Sequence, residues 1–413
     1  MTALADAVLP LIRTRKELYR LGAANAHGRQ MHEAVDLLED AAAPAKESTG
    51  PADVYDVTTR AVASALKVIA RADDSSGIIG DACRRLLRLH PRAAAAAHVP
   101  PTKVVDWMIA FQFHNDVDFF TIDPVAYAPA LGPDGVAAYR ARLADIERDL
   151  PPEPTPIADR LYLLPHERFV LEQNAQRLAV LDRDVDAIIA THAKDCKVAA
   201  WLIDTAKAFE EIDRTDLAIE WAREATRFGG GPQSQRAADY WSRLVDRHRP
   251  DEAVDVRLEV FRRWPSSSTG RGLYEASGVG WPHYRDEVTA ALAARPREAV
   301  LFALLTLEDP REAWRLAHDL GLQDADVWDR LVTEYAAIDP AAVLPVHADI
   351  VRMTLQETGA PHYRRAARRL KTMRTLAAKA DKTAEVDALI AELRQENRRR
   401  PRLGEIFDKA RLP

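Results

Sequence analysis

Cysteine is almost missing from this chain: two residues, Cys83 and Cys196, in 413. Two isolated thiols exclude a disulfide framework and a four-cysteine zinc site. Each is read as a small apolar residue packed inside a protein of a reducing cytosol. Glycine is sparse, at 17 residues, and β-branched runs are short. Both shortages argue against sheets. Long hydrophobic runs are lacking too: the most apolar stretch, Ala299 to Leu307, is far too short to span a bilayer. The opening MTALADAVLPLIRTRKELYR has no basic start followed by an apolar stretch, so no signal peptide is expected. Nor is there an excess of basic charge. The net charge of −6 predicts no general affinity for nucleic acid or anionic membrane. The expectation is a cytoplasmic chain without a membrane partner.

What is present favours helices. Apolar residues make up 47% of the chain and charged residues 29%, enough for a sizeable core under a solvated surface. Alanine, leucine, arginine, aspartate and glutamate dominate, all but aspartate being good helix formers. The 3.6-residue period of apolar positions recurs throughout. MHEAVDLLEDAA places Val35 and Leu38 on one face, and residues 44–53 read as a loop. A helix is expected from about Val54 to Arg71, stopping at Asp73-Asp74-Ser75-Ser76-Gly77. The next is expected from Ile78 to Leu89, ending before Pro91. Another follows Pro100-Pro101, then an acidic and aromatic loop at 114–124, then helix from Pro133 to Leu150. PPEPTP at 151–156 holds four prolines in six residues and marks the main boundary. The expected organisation is an N-terminal helical domain over 1–150, a proline-rich linker over 151–156, and a helical repeat domain over 157–413.

Beyond the linker, helices come in pairs. Similar openings recur as TDLA at Thr215, PDEA at Pro250, PREA at Pro310 and PAAV at Pro340, with gaps of 35, 60 and 30 residues. That spacing fits helix pairs of roughly 30–35 residues, with one opening unrecognised in the long gap. A single pair cannot cover its own apolar faces, whereas stacked pairs bury a continuous core and leave a groove or edge free. The fold class is therefore all-α: a helix-pair repeat array, tetratricopeptide-like, of the α-solenoid kind, preceded by an N-terminal helical region.

Three stretches carry a resemblance. DDSSGIIGDACRRLLRLHPRA (73–93), KVVDWMIAFQFHNDVDFFTIDPVAYAPALGPDGVAAYRARL (103–143) and LRQENRRRPRLGEIFDKARL (393–412) resemble the helical region that follows the zinc finger in bacterial, especially actinobacterial, SWIM zinc-finger proteins. The resemblance implies a helical architecture. It does not bring the metal site, because Cys83 and Cys196 stand 113 residues apart and no C-x-C or C-x-H occurs.

Motifs that could carry chemistry are few. His114, Asn115, Asp116 and Asp118, with Asp123 nearby, could offer oxygen ligands to a hard cation, but the glycine and terminal glutamate of a calcium loop are missing. The plainer reading is a capped loop whose Phe119 and Phe120 dock into the core. His166-Glu167 is not H-E-x-x-H, because position 170 is Val; a buried histidine bonded to a backbone carbonyl is expected. Ser75-Ser76-Gly77 lacks the hydrolase elbow and reads as a helix cap. Gly229-Gly230-Gly231 lacks the Lys-Ser/Thr of a phosphate loop and reads as a flexible helix terminus. The eight tryptophans read mostly as inter-helix packing; one or two exposed in a groove could anchor a partner. No catalytic residue, metal ligand or cofactor is expected.

The C-terminal stretch is the strongest candidate for function. Residues 361–413 hold 15 Lys or Arg against 7 Asp or Glu, a net of +8, so the rest of the chain carries −14. Arg364, Arg365, Arg368, Arg369, Lys371 and Arg374 fall within about three helical turns, with Arg364 over Arg368 and Arg365 over Arg369. Arg398, Arg399, Arg400 and Arg402 form a second patch. The expectation is a non-catalytic scaffold that binds a protein or peptide through this basic face. A nucleic-acid-associated accessory role is the alternative. It is less favoured because no aromatic interleaving accompanies the arginines. The same charges could instead pair with acids of the chain itself or of a second copy.

Overall fold

The structure is a computed structural model and describes residues 2–43, 50–114, 119–151 and 166–413. It is all-helical: among the described residues there is no strand, and one isolated parallel bridge joins Leu18 to Ala72. The chain divides into two compact units, Met1–Ala225 and Thr226–Pro413. From residue 152 onward the proline-rich run expected as a boundary lies outside the described residues.

The first unit begins with α1 (Ala3–Ile12), α2 (Leu21–Ala41), α3 (Pro51–Ile69) and α4 (Ile78–Ala96). These pack α1 on α2 and α3, and α4 on α2 and α3. α5 (Pro101–Phe113) and α6 (Pro124–Asp149) follow, then α7 (His166–Leu181). α8 (Val185–Ile188) runs into a π-turn at Ile189–Ala193 before the hairpin α9 (Ala199–Glu211) and α10 (Thr215–Ala225). One core joins α1 to α7, with Met31, Leu38, Ile79, Leu86, Met108 and Tyr139 fully buried in it. Each aliphatic side chain so buried contributes about 1.5–3 kcal/mol.

Local sequence explains the boundaries. Prolines open α3, α5 and α6 at the first helical position, where the missing N–H costs nothing. The carboxylate of Asp74, rather than Ser75 or Ser76, accepts from the N–H groups of Ile79 (2.9 Å) and Gly80 (2.8 Å) at the start of α4. α4 does not end before Pro91; it runs on to Ala96 with Pro91 buried inside it. The ring removes only the bond to the Leu87 carbonyl, and the alanines that follow are the strongest helix formers. α6 starts earlier than expected, at Pro124, and its φ/ψ break at Gly132 (φ 62, ψ 179) is where the expected helix from Pro133 restarts. Cys83 is buried, and burial pushes its thiol up to about 12. Cys196, contrary to expectation, is exposed in a turn at φ 55.

The second unit consists of successive short helices: α11 (Pro232–His248), α12 (Ala253–Arg263), α13 (Ser267–Ser277), α14 (Arg285–Ala293), α15 (Pro296–Leu305) and α16 (Pro310–Asp319). α17 (Ala325–Tyr335), α18 (Val343–Gln356), α19 (Ala360–Lys379), α20 (Thr383–Glu396) and α21 (Pro401–Lys409) complete it. Most neighbours in sequence pack on one another along this series, while α13 packs past α14 on α15 and α19 packs on both α20 and α21. The apolar clusters follow the same order, one around Phe261, Trp281 and Phe302, the next around Val300 and Leu331, the last around Leu370, Ile390 and Phe407. The four residues that open α16 also open α15, as Pro296-Arg297-Glu298-Ala299, only 14 residues earlier and so outside the expected 30–35-residue period.

Candidate functional site

The helix α19 sorts its own charges. Tyr363, Ala366, Ala367, Leu370, Met373, Leu376 and Ala377 recur at helical spacing and are buried, which turns Arg364, Arg365, Arg368 and Lys371 to solvent. Arg369 is drawn inward. Its Nη1 donates to His347 Nδ1 at 2.9 Å, and its Nη2 pairs with the Asp329 carboxylate. Arg374 pairs with Asp387 on α20, Nε to Oδ1 at 2.8 Å, with Nη2 donating to Oδ2 at 3.3 Å. Arg400 Nη1 donates to the Leu355 carbonyl at 2.6 Å and so ties the end of α18 to the start of α21. Three of the ten basic residues expected on the binding face are thus structural. Arg398 and Arg399 stand exposed on the turn before α21.

The remaining cations converge. Arg364, Arg368 and Lys371 form one wall of a cleft of about 320 Å³ between α19 and α21, and Arg402 and Lys409 form the other. Ala367, Ile406 and Ala410 make an apolar floor. Arg402 shares its charge with Glu405 (2.6 Å). Arg364, Arg368, Lys371 and Lys409 have no acidic partner among the described residues. Lys409 was not among the residues expected here. It sits seven residues after Arg402, two turns along the same face of α21, a spacing present in the sequence but obscured by the denser arginine runs. Chemically, such a cleft holds carboxylate or phosphate oxygens on its walls and one aliphatic group on its floor.

The other candidate motifs resolve into structural roles. Asn115, Asp116 and Asp118 lie outside the described residues. Asp123 caps α6 by accepting from the Val125 N–H (3.0 Å) and is gripped by Arg177 through Nε and Nη2, both at 2.9 Å. Arg177 also holds Glu211 at 2.6 Å, and these bonds raise its pKa further although burial opposes them. Phe120 docks into the core as expected, while Phe119 is 62% exposed. His166 Nε2 lies 3.1 Å from the Gln112 carbonyl, the backbone contact expected of it, although the side chain is half-buried rather than buried. Trp241, Trp264 and Trp281 are buried and the other five tryptophans half-buried, Trp107 among the residues that line a groove with Val62, Leu66 and Phe111. Trp107 stacks on His90 (3.8 Å between ring centroids), and Trp314 on Tyr335 (4.3 Å).

Among the described residues, no group of three or more His, Cys, Asp or Glu side chains is placed to hold a metal ion. No helix among them is long and apolar enough to cross a membrane. A family model described as a family of unknown function, DUF6880, matches residues 15–269. No curated protein matches the chain. The SWIM zinc-finger resemblance is therefore corrected: the family detected is a different one. Alanine- and arginine-rich amphipathic helices share spacing across unrelated helical arrays, and that diffuse pattern was all the resemblance rested on. The basic cleft between α19 and α21 lies beyond the matched residues.

Proposed function

We propose that this chain, which belongs to the family of unknown function DUF6880, is a non-catalytic scaffold of stacked, tetratricopeptide-like helix pairs that grips an acidic segment of a partner protein. One observation carries the reading: five cations from two helices face one cleft with an apolar floor, and four of them have no acid to neutralise them among the described residues. Charges left exposed in this way cost little in water, and they attract an oppositely charged segment from a distance of about a Debye length, roughly 8 Å at physiological salt. The floor adds what pure charge lacks. A leucine- or isoleucine-sized group set between carboxylates would cover Ala367, Ile406 and Ala410 while its acidic neighbours reached Arg364, Arg368 and Lys409. That preference for an aliphatic residue flanked by acids favours a protein segment over a nucleic-acid backbone, whose phosphates offer no such group.

Photo-crosslinking tests the reading. A photoreactive side chain placed at Lys371, at the rim of the cleft, should capture one polypeptide whose crosslinked peptide is acidic, and Arg368→Glu should abolish the capture. Crosslinks dominated by nucleic acid, or equal capture from the same probe placed at Tyr19, would remove the proposal.

A further inference from the structure

The cleft between α19 and α21 calls for an aliphatic side chain set between carboxylates, and the chain carries such a segment itself. Helix α2 buries Met31, Ala34, Val35 and Leu38 in the core of the first unit. Leu37 stands off that stripe and is 42% exposed. A lone exposed leucine needs no explanation, but this one has a particular setting. Glu33 lies one turn before it and Asp40 one turn after it, both exposed and on the same face of the helix. Asp36 and Glu39 stand beside them, and no lysine or arginine occurs from Gln30 to Ala43. Asp36 and Glu39 share the single guanidinium of Arg85, each at 2.6 Å. Glu33 has no cationic partner among the described residues, so the face stays negative.

Other exposed apolar side chains lack this setting. Leu21 opens α2 and Leu305 closes α15, so neither lies between acids of its own helix. Met353 on α18 lies between Asp349 and Glu357, but Glu357 is past the helix end. Arg352 beside it carries the charge that the cleft repels and already approaches Asp349 (3.8 Å) and Glu392 (3.3 Å).

The face of α2 and the cleft are complementary in both charge and shape of demand. One offers an aliphatic side chain amid carboxylates. The other offers cations without acidic partners around the floor of Ala367, Ile406 and Ala410. The long-range field works in the same direction, because residues 361–413 carry +8 and the rest of the chain −14. A cleft of about 320 Å³ receives one anchoring side chain, and an interface of that size belongs to the weak, transient class.

Resting on the reading of this cleft as a grip for acidic segments, we propose that its occupant is α2 of a second copy of the chain, with Leu37 on the floor and Glu33 and Asp40 against the basic walls. The two surfaces differ, so the contact is heterologous: each copy receives one helix and offers another.

Sedimentation of the full chain tests the proposal. The wild type should associate as its concentration rises at low salt and dissociate at high salt. Leu37→Arg drives a cation into the basic cleft and should weaken association about a hundredfold or more. Val279→Arg adds the same charge at a fully exposed residue outside both surfaces and should leave association as it was. Arg364→Glu/Lys409→Glu should abolish association. Mixed in equal amounts, the Leu37→Arg chain and the Arg364→Glu/Lys409→Glu chain, each monomeric alone, should form a pair that grows no further, since one supplies the cleft and the other α2. A monomeric wild type, association unmoved by Leu37→Arg, or a mixture that stays monomeric would overturn the proposal. A labelled peptide with leucine between glutamates separates this inference from the reading it rests on. It should bind the Leu37→Arg chain, whose cleft is intact. Peptide binding by a chain that does not self-associate removes the second copy and leaves the acidic-segment reading standing, whereas loss of both removes both.

Discussion

Arg369 donates to His347 Nδ1 across 2.9 Å, and this contact takes one arginine out of a row of six basic side chains. The bond requires His347 to be neutral at Nδ1, because an imidazolium has no acceptor there. Burial and the Arg369 charge together lower the histidine to about 4, against a small opposing pull from Asp329. α17, α18 and α19 are thereby joined through Asp329, His347 and Arg369.

Neighbouring arginines on α19 should therefore behave differently. Arg369→Ala removes a largely buried guanidinium from a half-exposed carboxylate and a buried histidine, and should cost about 1–2 kcal/mol of the stability of the second unit. Arg368→Ala removes an exposed, unpaired cation and should change stability by less than about 0.5 kcal/mol. Urea unfolding of the two variants checks the contrast. Equal losses would mean that Arg369 is not structural.

Two buried histidines set the response to acid. His90 is fully buried, bonded to Tyr127 (2.9 Å) and Thr59 (3.1 Å), and burial lowers it to about 3. For His90 and His347 alike the unfolded chain binds the proton more readily than the folded one. Their contribution is fully present above the ordinary histidine value of about 6.5 and is lost as the pH falls from there toward 4 for His347 and toward 3 for His90. Each pKa unit is worth about 1.4 kcal/mol, so the loss runs to a few kcal/mol. Urea midpoints should drop between pH 7 and pH 5. His347→Gln should flatten that slope for the second unit and leave the first, which holds His90, as it was.

A polar network inside the first unit is the corresponding weak point there. Asn174, 2% exposed on α7, donates to Gln112 Oε1 (2.9 Å) and the Val170 carbonyl (2.8 Å) and accepts from the Tyr139 hydroxyl (2.6 Å). Gln112 in turn donates to the Tyr139 oxygen at 2.7 Å, so α5, α6 and α7 share one set of bonds. Asn174→Leu strands two buried polar partners and should cost about 3 kcal/mol. Adding Gln112→Leu and Tyr139→Phe should recover part of that loss in thermal unfolding, since no group is then left unsatisfied.

The helices were readable from the sequence because their stripes repeat every three to four residues and prolines mark so many first turns. Pro91 misled for a tertiary reason: a proline ring is tolerated in mid-helix when it is itself buried and followed by alanines, and nothing local announces burial. Pro296 was overlooked because it repeats the opening at Pro310 only 14 residues away, too close for the expected period; the two mark both helices of one hairpin. The binding face was legible as charge density but not as geometry. Arg365 and Arg369 share a stripe in sequence, yet Asp329, 40 residues earlier, decides that one faces solvent and the other the interior. Lys409 joins the cleft only because α21 folds back on α19.

Fluorescence anisotropy of a labelled peptide with a leucine flanked by glutamates, measured against the full chain, tests the basic cleft most directly. The account expects saturable binding that weakens with salt, disappears in Arg364→Glu/Lys409→Glu, and survives Arg365→Glu/Arg399→Glu at the same net charge. Equal loss in both pairs, or tighter binding of a nucleic-acid duplex of matched charge, would contradict it.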